Sequence, residues 1–86
     1  MDEIILRKQL EAMEMKNKYL PKTRVRLAKM VDSPAPPIGT EGTVVMVDDI
    51  GSIIVIWDTG DESVIYNEDI IEILTKPETI TGLFSF

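Results

Sequence analysis

The chain contains neither cysteine nor histidine. Without cysteine there is no disulfide framework and no thiolate metal site, and the composition suits a reducing compartment, so we expect a cytoplasmic protein. Without histidine the commonest metal ligand and general base is missing, and catalysis would fall on carboxylates, lysine or tyrosine. No nucleophile paired with such a base stands out, and we expect no enzyme, no cofactor and no metal centre. Aromatic residues are few, with one tryptophan, two tyrosines and two phenylalanines; three converging rings, as a cage for a methylated cation needs, are hard to assemble from them. No apolar run approaches the roughly 20 residues of a membrane-spanning helix. Two acids precede the short run Ile4-Ile5-Leu6, which is the wrong charge order for a secretory signal.

Basic residues are also scarce after the first third. The 9 basic and 15 acidic residues leave a net charge of −6. Residues 1–31 hold eight bases against four acids, an excess of +4, whereas residues 32–86 hold Lys76 against eleven acids, a net of −10. The opposed halves either present a basic face to an anionic partner or attract each other within one molecule. We read the attraction as internal, because a net acidic chain is a poor general phosphate binder.

What is present centres on Pro37 to Gly60. Two runs rich in β-branched residues, Val44–Val47 and Ile53–Trp57, flank Asp48-Asp49-Ile50-Gly51 and predict a β-hairpin. A glycine-bearing turn at Gly39 and Gly42 enters it, and Asp58-Thr59-Gly60-Asp61 leaves it. Strand alternation sends Ile53, Val55 and Trp57 to the core and Ile54 and Ile56 outward. Val44 and Val47 are then buried at odd spacing, which requires a bulge, and Val45 or Met46 turns out beside Ile54. The outward set Val45, Met46, Ile54 and Ile56 needs a cover, because bare, uncharged, β-prone surface invites aggregation.

Around this hairpin, Asp2 to Lys18 predicts an amphipathic helix with acids at its start and lysines near its end. Leu6, Leu10 and Met13, widened by Ile5 and Ala12, form the stripe expected to pack on the domain or to pair two copies as a homodimer. Leu20-Pro21 ends the helix. A first strand over 23–30 alternates Arg24 and Arg26 with Val25 and Leu27; the arginines are expected to meet carboxylates on neighbouring strands, Glu62 and Glu72 being available. Pro34, Pro36 and Pro37 make the next segment a stiff connection crossing one end of the barrel. Glu62 to Tyr66 and Ile70 to Leu74 supply two further strands around an Asn67-Glu68-Asp69 turn. The whole is mainly β: a small five-stranded SH3-like barrel over residues 21–75, preceded by an N-terminal helix over 1–20 and followed by a tail over 76–86 tipped by Phe84 and Phe86.

The acidic groups Asp48-Asp49 and Asp58, Asp61, Glu62 lack a cation-loop spacing and are explained by turns. Gly39-Thr40-Glu41-Gly42 has no lysine and no following helix, so it is not a phosphate loop. Trp57 is read as a packing residue.

The run from Lys18 to Leu74 resembles a small uncharacterised domain family of Gram-positive bacteria, their phages and mobile elements. The parts that carry the likeness are R-V-R-L, A-P-P-I-G-T-E-G-T-V, V-D-D-I-G-S-I and W-D-T-G. The resemblance implies an SH3-like barrel and supplies no catalytic residues to carry over. Ile54 and Ile56 stand where that pattern often has polar residues, which points to a private partner or an intramolecular cover. The expected function is a non-enzymatic module docking a protein partner through Val45, Met46, Ile54, Ile56, Phe84 and Phe86, and a phage or mobile-element setting suits an adaptor or inhibitor. The alternative is a nucleic-acid-binding barrel using Lys22, Arg24, Arg26 and Tyr66.

Overall fold

Asp48 closes the central hairpin with its own side chain. Its Oδ1 accepts the backbone N–H of Ser52 at 2.8 Å and of Ile50 at 3.1 Å, while Gly51 takes φ 89°, a conformation that costs a side-chain-bearing residue but not glycine. The strands on either side follow from the β-branched runs. In a computed structural model that describes residues 3–31, 34–65 and 68–77, one helix precedes five strands: α1 (Glu3–Lys18), β1 (Arg24–Lys29), β2 (Glu41–Val47), β3 (Ile53–Trp57), β4 (Glu62–Ile65) and β5 (Ile70–Thr75).

The strands form one antiparallel sheet in the order β4-β3-β2-β1-β5. The fold is mainly β, as the alternation requires, and is consistent with an SH3-like barrel, although β4 and β5 are not hydrogen-bonded to each other and the sheet is not closed. Alternate residues of each strand point to one core: Val25 and Leu27, Val44 and Val47, Ile53, Val55 and Trp57, then Ile65 and Ile71, with Tyr19 added from beyond the helix. Each such side chain contributes about 1.5–3 kcal/mol on burial. The register shift between Val44 and Met46 is the bulge that the odd spacing of Val44 and Val47 demands, and Met46 pairs with Ile54.

Gly42 is a strand residue and not a turn residue. It lies opposite Trp57, and a Cβ there would meet the Ile56 carbonyl oxygen at 2.7 Å and the indole Cε3 at 2.8 Å. The indole fills that space and donates from Nε1 to Ser63 Oγ at 2.8 Å. Gly39, at φ 93°, makes the turn instead, and its N–H donates to Leu27 as the proline segment rejoins β1.

Of the predicted stripe of helix α1, Ala12 alone is buried, and the centre of that stripe is not the packing face. Leu6, Leu10 and Met13 are 44%, 51% and 58% exposed, while Ala12 is the buried residue and Met15 and Tyr19 continue its face into the core. The hairpin turn packs on this face: the helix backbone at Ala12 lies 3.6 Å from where a Cβ on Gly51 would stand, an ordinary packing distance. Lys16 fixes the contact with a 2.7 Å ion pair to Asp49.

Candidate docking surface

The bulge that buries both Val44 and Val47 turns Val45 and Met46 together to the outer face of the sheet. Register then builds the surface row by row. Met46 lies opposite Ile54, and Ile54 opposite Val64; the next row runs Thr43, Ile56, Glu62. Val45, Met46, Ile56 and Val64 are each 42–45% exposed and Ile54 is half-buried among them. Neither the helix nor any other described element covers these five side chains, which leaves an apolar patch on three adjacent strands.

Val64 was absent from the sequence-based set. Its signal was present, since Ile65 is the core residue of β4 and strand alternation sends its neighbour out. Phe84, Phe86 and Tyr66 lie outside the described residues.

Polar groups rim the patch toward β1. Arg24 makes a two-pronged contact with Asp58, Nη1 to Oδ1 and Nη2 to Oδ2 at 2.7 Å each. Its Nη1 also donates to Thr43 Oγ1 at 2.9 Å, and Glu41 stands at 3.5 Å. The bidentate geometry suits guanidinium and carboxylate. The Arg24 hydrogen bond holds the Asp58 carboxyl below the usual carboxylate range, and the same bond raises Arg24. Arg26 pairs with Glu72 at 3.2 Å, as expected, whereas the Arg24 partner is Asp58 and not Glu62. The β3–β4 turn brings Asp58 beside β2, where the Asp58 N–H donates to the Glu41 carbonyl at 2.9 Å. Both strand arginines are thus matched by carboxylates. Lys22 stands apart from them in the turn before β1, with φ 76°.

Among the described residues, two concavities lie beside the sheet. One of about 560 Å³ lies between the end of α1 and the hairpin turn, walled by Met15, Tyr19, Ile53, Ile65 and Ile71. The other, about 500 Å³, lies between Pro34–Pro37 and the β3–β4 turn at Thr59 and Asp61. The proline segment, leading into β2, thus stands beside that turn. Among the described residues no three His, Cys, Asp or Glu side chains are grouped to hold a metal ion, and no helix is long and apolar enough to cross a membrane.

Residues 7–74 match the family model described as "Domain of unknown function (DUF4314)". No curated protein and no solved structure matches the chain.

Proposed function

We propose, from the premise that this chain belongs to the DUF4314 family, that it is a non-enzymatic binding module that docks a protein on the outer face of its sheet. The observation that carries this reading is the uncovered row Met46, Ile54, Val64 with Val45 and Ile56 beside it. A contiguous apolar surface on a small soluble-sized domain costs solubility unless a partner removes it from water. Acidic residues border it, Glu62 at one end of the Ile56 row and Glu41 near Arg24, and the whole chain carries −6. The matching partner surface is apolar at its centre and basic at its rim, with the charges steering encounter and the apolar core setting the lifetime.

Nucleic-acid binding is disfavoured by the ion pairs of Arg24 and Arg26, since freeing each guanidinium for phosphate would leave a carboxylate behind. The resemblance to domains of phages and mobile elements supports an adaptor or inhibitor of a host protein, with the SH3-like barrel as scaffold.

The test is affinity capture with the wild-type chain and with Ile54→Ser/Ile56→Ser. Both positions sit on the exposed side, so the double variant keeps its fold by circular dichroism and loses the partner captured by the wild type. Capture that is unchanged in the variant would sink this surface. Capture that collapses between about 50 and 200 mM salt, as phosphate contacts do, would instead support nucleic acid.

A further inference from the structure

The first half of α1 carries more apolar surface than the domain uses. At about 100° per residue, Ala12, Met15 and Tyr19 define the docked face of the helix, and Leu6, Leu10 and Met13 centre roughly 150° away from it. The stripe therefore points away from the sheet, and its exposure agrees: 44%, 51% and 58%. Its spacing of four and then three residues is that of a seam between two helices.

The charges beside the stripe select the partner and its direction. Arg7, Glu14 and Glu3 lie along one flank, and no ion pair within the described residues engages them. When two copies of one helix pack antiparallel, each flank meets the same flank of its twin, so every contact occurs twice. The register that sets Arg7 opposite Glu14 of the second copy also sets Glu3 opposite Lys18. In that same register Met13 falls between Leu6 and Leu10 of the second copy, as a knob into a hole. A parallel pair sets this flank against the sequence positions of Asp2, Gln9 and Lys16, so that Glu14 meets Gln9 and not a base and the Arg7–Glu14 pair is lost. We propose that Leu6, Leu10 and Met13 form an antiparallel two-helix interface with a second copy of this chain, held in register by two symmetric Arg7–Glu14 pairs.

A 16-residue helix is about 24 Å long. Three apolar residues per copy place the interface at the small end of specific ones, below about 1,200 Å² in total, so the dimer is reversible with a dissociation constant in roughly the micromolar range.

Sedimentation equilibrium of the full chain tests this. The wild type reaches twice the 9.7 kDa chain mass as concentration rises, and Leu10→Asp stays at the chain mass with an unchanged circular dichroism spectrum. Arg7→Glu and Glu14→Arg each turn two attractions into two repulsions and weaken the dimer roughly ten-fold. The double swap Arg7→Glu/Glu14→Arg restores the wild-type constant, which neither a parallel pair nor general helix damage would do. A wild type still monomeric at about 200 μM, well above a micromolar constant, overturns the proposal. So does a double swap no better than the single changes, or loss of the dimer in Ile54→Ser/Ile56→Ser, which would put the contact on the sheet. Leu10→Asp leaves protein capture by the sheet face intact, so the two readings fail separately.

Discussion

Adding one methyl group at Gly42 tests the packing that organises the sheet. An alanine Cβ there would lie 2.7 Å from the Ile56 carbonyl oxygen, 2.8 Å from Trp57 Cε3 and 2.9 Å from Val55 Cγ1. None of the three can yield freely. The carbonyl belongs to the backbone of β3, the indole is 1% exposed and tied to Ser63, and Val55 is fully buried. Overpacking a rigid core site costs about 1–3 kcal/mol, and three simultaneous clashes put Gly42→Ala near the upper end. Against this, alanine restricts the unfolded chain and returns about 0.4–1 kcal/mol. The net loss is about 2 kcal/mol, a large share of the roughly 4–13 kcal/mol expected for a domain of this length. At about 4–8 °C per kcal/mol for a domain of this size, the melting temperature falls by about 8–16 °C. Trp57 is the single tryptophan and lies at the contact, so its fluorescence reports urea unfolding without a label. Gly39→Ala is the control: it meets nothing within 4 Å and pays only for its backbone conformation at φ 93°. An unchanged urea midpoint for Gly42→Ala at unchanged slope would refute the claim that Gly42 exists to admit the indole.

Two further outcomes follow from the turns and the arginine network. Lys22 holds φ 76° without being glycine, at a cost of about 1–2 kcal/mol; Lys22→Gly removes that strain, gives back part of it in unfolded-state entropy, and raises stability by about 0.5 kcal/mol in urea titration. A lowered midpoint would mean that the lysine side chain itself contributes there. Asp58 is held below the usual carboxylate range in the folded state by its bond to Arg24. Its contribution is therefore fully present above the ordinary aspartate pKa, about 4, and is lost as pH falls through the lower folded value. Asp58→Asn is less stable than wild type at pH 7, and the gap narrows toward pH 2.5; a gap of constant size across that range would show that the charge pair is not its source.

The legible parts of this fold were those written in side-chain periodicity. Alternation placed Ile53, Val55 and Trp57 inside, and the odd interval between Val44 and Val47 required the bulge that turns Val45 and Met46 outward. The illegible parts were those made by small or missing side chains. The docked face of α1 rests on Ala12 against Gly51, two residues that add little to a hydrophobic pattern; Ala12 stands at the edge of the predicted stripe, whose weight falls on the exposed Leu6, Leu10 and Met13. Gly42 posed the same problem, because a glycine near a turn and a glycine under an indole have the same letter. The Arg24 partner was missed for a different reason. Asp58 reaches it from a turn, across β2, and periodicity within strands carries no information about such a contact.

These two surfaces pose different problems of exposure, and the difference bears on what each is for. The helix stripe is flanked by charges of both signs at spacings that fit its own copy, so its cover can be supplied by the protein itself. The sheet patch is otherwise: β3 from Ile53 to Trp57 carries no charge and no proline, and Ile54 lies between Met46 and Val64, while Ile56 lies between Thr43 and Glu62, so the single charge beside the outer isoleucines in these two rows is at the edge of the patch. Of the polar groups at its edge, Thr43 is held by Arg24, which is itself paired with Asp58, and Glu62 borders the Ile56 row. A serine at position 54 or 56 would keep the strand and remove the hazard, because the core residues Ile53, Val55 and Trp57 lie on the other face. If serine at these positions leaves the urea midpoint unchanged, folding does not require isoleucine there and the proposed docking role gains support; a stability loss of more than about 1 kcal/mol, the span of strand propensity, would show that the two isoleucines serve the sheet itself.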